Sequence, residues 1–171
     1  MPVDFGLLLL LVLFGTAIAA HSSRKLFDVL GGYGLKGTGA FFESLGFRPG
    51  RLSAFMAGSS ELVGGLLLVS GLSTPVGAAL VLATMIVALA TVHLKNGFFA
   101  ANNGIELPSL FAATALALIF TGGGAYSTDA VFKTTFLSLP YVTECVLGCA
   151  QFGATLNMTF RRHAHLTAAR T

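Results

Sequence analysis

Glu61 is the least expected residue of this chain. It stands nine positions into the apolar stretch LSAFMAGSSELVGGLLLVSGL, which begins at Leu52. At 1.5 Å per helical residue it lies about 14 Å from the start of that stretch. A carboxyl group at such a depth in hydrocarbon either keeps its proton or pairs with a cation. By default an ionisable side chain there reads as a functional group facing the interior of a helix bundle; the competing explanation is a hydrogen bond that glues two helices together. Its surroundings are small. Ala54 with Gly58, and Ser60 with Gly64, are pairs four apart that let a second helix approach closely.

Three other titratable groups sit at the ends of apolar runs. His21, followed by Arg24 and Lys25, closes the first run; His93 closes the third, just before Lys95; Glu106 opens the fourth. Taken singly, each reads as an interfacial anchor. Helix alternation, however, sends His21, His93 and Glu106 to one face of a membrane with Glu61 below them. The expected result is a polar pocket open to that face and narrowing toward Glu61. His21 and Arg24, three apart, share a side of the first helix.

Other chemistries find little support. HxxH and HExxH spacings are missing, and two His with two Glu from separate runs are a weak basis for a metal site, so no metal is expected. Cys145 and Cys149 would share a helix face without easily bridging each other, and they form neither a CxxC motif nor a zinc set. They read as two small apolar residues. Gly31-Gly32-Tyr33-Gly34 is turn chemistry rather than a phosphate loop. His163 and His165 alternate instead of sharing a helix face and receive no role.

The elements that position these groups follow from composition. The 171 residues are 54% hydrophobic and only 10% charged, with a mean hydropathy of +0.82. Soluble domains devote about a quarter of their residues to Asp, Glu, Lys and Arg, so hydrocarbon must be the solvent for much of this surface. The net charge of +3 does not imply nucleic acid, because the ten Lys and Arg are scattered at the ends of apolar runs instead of forming a dense stripe.

A membrane helix needs about 20 apolar residues. Spans are expected over Val3–His21, Leu52–Leu72 and Val76–Leu94, with a shorter one from Glu106 to Thr121. The first is retained rather than cleaved, since it lacks a basic leader and ends in HSSRK. Pro75 suits a first helical turn, Lys95-Asn96-Gly97 is a stop, and Gly122-Gly123-Gly124 follows the fourth span. In the long connection 23–51, Phe41, Phe42, Leu45 and Phe47 fit a short helix lying at the interface. Residues 134–160 carry one charge, Glu144, together with Pro140, Gln151 and Asn157. An interfacial helix or one docked on a partner is favoured there over a fifth span. Four spans place Arg24, Lys25, Lys36, Arg48, Arg51 and Lys95 on one side, called here the loop face, which the positive-inside rule assigns to the cytoplasm or its organellar equivalent. The basic pair Arg161 and Arg162 sits awkwardly with this, because four spans leave it on the other side.

At the level of motifs the chain resembles the DoxX family of small membrane proteins. The residues that carry the resemblance are H-x-x-x-K-L-F from His21, F-F-x-x-L-G-F-x-P-G from Phe41, E-L-x-G-G-L-L-L-x-x-G from Glu61, H-x-x-N-G-F-F from His93, and a terminal Y-S-x-D ending at Asp129. The similarity covers about residues 3–129. It implies an all-α fold: an integral membrane four-helix bundle over 1–129 with an extension over 130–171 that is interfacial or partner-docking. Matching polar positions are His21, Lys25, Glu61, His93, Asn96 and Glu106, with Tyr126 and Asp129. Ser22 stands where members often have Gly.

The family takes its name from a subunit of an archaeal thiosulfate:quinone oxidoreductase, and other members are associated with quinone or thiol-stress systems. The resemblance therefore implies a membrane subunit of an oxidoreductase system, in a bacterial-type plasma membrane or an organellar one. Its expected partners are the lipid bilayer and other membrane proteins. Its candidate ligand is a quinone headgroup, with no covalently bound cofactor. Pocket candidates are His21, Lys25, Glu61, His93, Asn96 and Glu106; no residue is singled out as catalytic. Any redox step needs a separate flavin, haem or iron–sulfur subunit. The alternatives are a non-catalytic accessory subunit that stabilises a larger complex and, with less support, a transporter or lipid-binding bundle.

Overall fold

The computed structural model of the chain describes residues 2–134, 139–159 and 161; Arg162, His163 and His165 lie outside them. The fold is all-helical. Helix α1 (Pro2–Phe27) is followed by α2 (Gly34–Ser44), α3 (Gly50–Ser70), α4 (Thr74–Ala88), α5 (Glu106–Thr121), the short α6 (Thr128–Val131) and α7 (Pro140–Thr159). Helix α4 does not stop at Ala88. It continues through a π-helical turn over Leu89–His93 and a 3-10 turn over Leu94–Asn96, giving an apolar rod of 23 residues over Thr74–Asn96. This rod, α1 and α3 are long and apolar enough to cross a membrane; α5 is apolar but has only 16 residues.

Helix α1 outruns the expected span by six residues. The two serines after His21 bond into helices instead of breaking one: Ser23 Oγ donates to Ala19 O at 2.8 Å, and the buried Ser22 Oγ donates across to Gly58 O of α3. As a consequence Lys25 is helical and lies one turn beyond His21, on the same side. At the other end of α3, Gly71 closes the helix in the left-handed conformation (φ 63°), a geometry that costs glycine nothing. Pro75 then opens α4 in its first turn, as expected.

Small residues explain the tightness of the bundle. A Cβ on Gly65 would come within 2.8 Å of Gly15 O and Ala19 N on α1, and a Cβ on Gly64 within 2.8 Å of Gly77 O on α4. Helix α3 is thus held backbone to backbone between α1 and α4. The apolar core behind this contact is built from Leu11, Phe14 and Ile18 of α1, Leu68 of α3, Val81 and Met85 of α4, and Leu118 and Ile119 of α5. Helix α2 packs over α3 and α1 at the loop face, and α7 lies along α4 and touches α5, burying Ala150 and Ala154.

At the face opposite the loop face, the four-residue α6 is fastened to the turn between α3 and α4. The Asp129 carboxylate accepts from Ser73 N (2.7 Å) and Thr74 N (2.8 Å), the first amides of α4, and from Thr134 Oγ1 (2.7 Å). Thr128 Oγ1 donates to Ser70 O. The Gly122–Gly124 stretch lets the chain turn back for these contacts, with Gly122 and Gly124 both at positive φ.

Candidate functional site

Glu61 occupies the middle of α3 and is 1% exposed. Its charge is met by Lys25 of α1, whose ammonium donates to both carboxylate oxygens at 2.8 and 2.7 Å. Lys25 keeps a third N–H and 24% of its side-chain exposure. The pair stands in the wall of a cavity of about 1130 Å³. His21, Lys25, Glu61 and His93 all line it, and among the described residues no hydrogen bond ties up the His21 ring.

Of the six pocket candidates, two lie elsewhere. Asn96 and Glu106 do not line the cavity; they shape the loop beside it. Glu106 Oε2 accepts from Ala100 N at 2.7 Å, and Asn96 Nδ2 donates to Val92 O and Asn103 O, each at 3.1 Å. Sequence alternation put Glu106 on the right face without saying which way it turns. Its side chain folds back over the loop it follows, where an unpaired backbone amide needs an acceptor. That loop presents Asn103 to the cavity, and Asn103 O also bonds His93 Nδ1 at 2.8 Å. A carbonyl only accepts, so Nδ1 carries the proton and the neutral ring keeps Nε2 as its acceptor.

Several lining residues were given no place in the pocket by the sequence: Thr38, Thr91 and Asn103 near the loop face, Tyr33, read as part of a turn, and Cys145 and Cys149 on α7, read as small apolar residues. Thr91 and His93 both sit on the π-helical turn, a distortion that recurs at functional sites. Such a turn leaves no mark in hydropathy. Tyr33 belongs to a glycine-rich turn, and the cysteines bear the i, i+4 spacing of any helix face.

The polar lining is uneven. Along α4 the cavity runs from Val76 to His93, about 25 Å at helical rise. Its loop-face half holds the titratable and hydroxyl groups. Toward the α3–α4 turn the wall is Val76, Ala79, Leu80 and Ala83 of α4, faced by Cys145, Val146 and Cys149 of α7. The site can therefore hold a polar ring against a buried ion pair and an apolar chain beneath it. Among the described residues, no three His, Cys, Asp or Glu side chains gather as a metal-holding group.

The DoxX family profile matches residues 6–94, a segment that contains His21, Lys25, Glu61 and His93. The chain belongs to the DoxX family. This DoxX protein is an integral membrane protein by its family and its three long apolar helices. It is 33% identical over 131 residues to the Bacillus subtilis protein named "Putative oxidoreductase CatD", covering 76% of this chain and 90% of that one. It is also 31% identical over 88 residues to an uncharacterized Haemophilus influenzae protein, covering 52% of this chain and 58% of that one. No solved structure matches the DoxX chain significantly.

Proposed function

We propose that this protein is the membrane subunit of an oxidoreductase system, with α1, α3, α4 and α5 as its four-span bundle and α2 lying at the interface. Its cavity receives a quinone-like headgroup. The observation that carries this reading is the pairing of the buried Glu61 with the partly exposed Lys25 in the wall of a large, mostly apolar cavity. The oxidoreductase name of the Bacillus subtilis relative supports the redox setting.

The lining fits such a group. At about 1130 Å³ the cavity exceeds the roughly 300–1000 Å³ of drug-sized sites, leaving room for a ring and part of a chain. Lys25 Nζ directs its spare N–H to a carbonyl oxygen. His93, fixed by Asn103 O, takes a proton at Nε2 from a ring hydroxyl, and His21 serves the opposite oxygen as donor or acceptor. Glu61 balances the Lys25 charge so that the site stays neutral in hydrocarbon. When bound, the quinone/quinol couple would supply two-electron, two-proton chemistry, and a flavin, haem or iron–sulfur subunit would accept the electrons as His93 takes the ring proton. Orientation follows the basic loop face, placed on the cytoplasmic or equivalent side.

The test is binding of a decyl-benzoquinone to the protein purified in mild detergent. Glu61→Gln with His93→Ala is expected to weaken binding at least tenfold, about 1.4 kcal/mol. Unchanged binding and unchanged linked reductase activity would end the cavity reading. A second reading, a non-catalytic subunit stabilising a larger complex, draws on the outer face of α7. There Glu144, Gly148, Gln151 and Thr155 recur at helical spacing and are exposed. A Cβ on Gly148 meets nothing within 4 Å. If Gly148→Leu dissolves a stoichiometric assembly while cavity variants leave it intact, this second reading stands and the first falls.

A further inference from the structure

Helix α7 begins close in sequence to α6, which Asp129 and Thr128 fasten to the α3–α4 turn. At its far end, two residues beyond the helix, Arg161 Nε donates to Leu45 O at 2.6 Å and Arg161 bridges Phe47. Leu45 and Phe47 join α2 to α3, at the loop face. The far end of α7 is therefore pinned to the loop face, and its start follows within six residues of Thr134, which bonds Asp129 at the opposite face. Between them lie 20 helical residues, about 30 Å at 1.5 Å each, which is the thickness of the hydrocarbon layer. From the geometry we infer that α7 is a fifth membrane crossing, and that its flank along Cys145, Cys149 and Gly153 is the wall against which the apolar chain of a bound amphiphile lies. The chain-wall half rests on the cavity reading above; the crossing does not.

Charge agrees with the crossing. Arg161 joins Arg24, Lys36, Arg48, Arg51 and Lys95 on the loop face, so its charge no longer opposes the positive-inside rule. Hydropathy missed the helix because of its outer face. Glu144 stands near its start, where a charge is cheap, and Gln151 is exposed on the side away from α4. Apart from the buried Thr143, the inner face is apolar and small. Ala150 belongs to the main core, with Val146 packed against it, while Cys145, Cys149 and Gly153 are exposed on the flank beside that face and border the cavity. These thiols face the stretch of α4 that is purely apolar, from Val76 to Ala83, below the ion pair. A ligand anchored by its ring at Lys25 sends its chain there.

Cys145 and Cys149 are the two cysteines of the chain, which makes both halves testable in native membranes. For the crossing, a Cys145→Ser/Cys149→Ser chain receives one cysteine at a time: Thr159→Cys, Lys95→Cys or Val131→Cys. Each is exposed to a charged, impermeant maleimide in sealed vesicles of both orientations. Position 159 is expected to label from the same side as 95 and opposite to 131. Labelling from the side of 131 overturns the crossing. For the wall, the native thiols react with N-ethylmaleimide in the presence of a decyl-benzoquinone whose other ring positions are all substituted, so that the quinone itself cannot add to a thiol. At ten times its Kd the quinone slows labelling about tenfold, whereas the same ring with a methyl group in place of the decyl chain leaves the rate unchanged. Binding without protection overturns the wall alone. Loss of binding as well overturns both the wall and the quinone reading, and leaves the crossing to its own labelling result.

Discussion

Glu61 and Asp129 are both buried carboxylates, 1% and 5% exposed, and the chain satisfies them in opposite ways. Asp129 takes its hydrogen bonds from two backbone amides at the start of α4 and from Thr134, five residues further along the chain. Those amides are the positive end of a helix, so the charge is met by fixed dipoles that need no partner ion. Glu61 takes both of its bonds from one flexible cation across a helix interface, in a wall that faces open space. The first arrangement is closed and holds a turn. The second leaves a donor unspent at the edge of a cavity, which a purely structural contact would not require.

The comparison is broken most forcefully by removing one member of the pair. Glu61→Leu strands the Lys25 ammonium in an apolar wall and is expected to cost about 3–5 kcal/mol, as for other half-deleted buried pairs. Lys25→Met together with Glu61→Leu is expected to recover most of that loss, because replacing a whole buried pair by apolar residues is often neutral. Thermal denaturation in mild detergent reads both variants. The double variant should be folded yet unable to bind a decyl-benzoquinone. A stable double variant that binds normally would reduce Glu61 to helix glue.

Asp129→Ala should act the other way round. It leaves two amides of α4 and Thr134 without their acceptor, a loss of about 1–3 kcal/mol. Quinone affinity measured below the new melting temperature should not change, since Asp129 does not border the cavity. A fall in affinity larger than the fall in stability would mean that the α3–α4 turn and the cavity are coupled.

The contrast also marks how far the sequence could be read. Length and hydropathy placed α1, α3 and α4, and the stretch from Glu106 to Thr121 coincides with α5, because burial in lipid demands a nearly unbroken apolar run. The depth of Glu61 was legible for the same reason, and so was the placing of His21 and His93 toward the loop face of the cavity that Glu61 also lines. Lys25 as its ion-pair partner was not, because Ser22 and Ser23 read as the end of a helix that they in fact extend. Asp129 appeared as a motif residue without a role, since its partners are backbone amides more than fifty residues away. The π-helical turn that carries Thr91 and His93 has no sequence signature at all. Helix α7 was the hardest, because its polar outer face hides the apolar inner one from any average taken around the helix.

The smallest expected effect tests the boundary of the site. Glu106→Gln keeps an acceptor for Ala100 N but removes its charge, so the loop loses about 1 kcal/mol. Asn103 O still holds His93 Nδ1 through the rest of the loop, where Ile105 N bonds Gly97 O and Asn96 Nδ2 bonds Asn103 O. Quinone affinity should therefore stay within about twofold, a difference below 0.5 kcal/mol. His93→Ala at the same cavity should cost several times more. If instead Glu106→Gln weakens binding as much as His93→Ala does, Glu106 reaches the ligand when the cavity fills. The division between a loop-shaping carboxylate and a cavity-facing one would then hold for Asp129 and Glu61 alone.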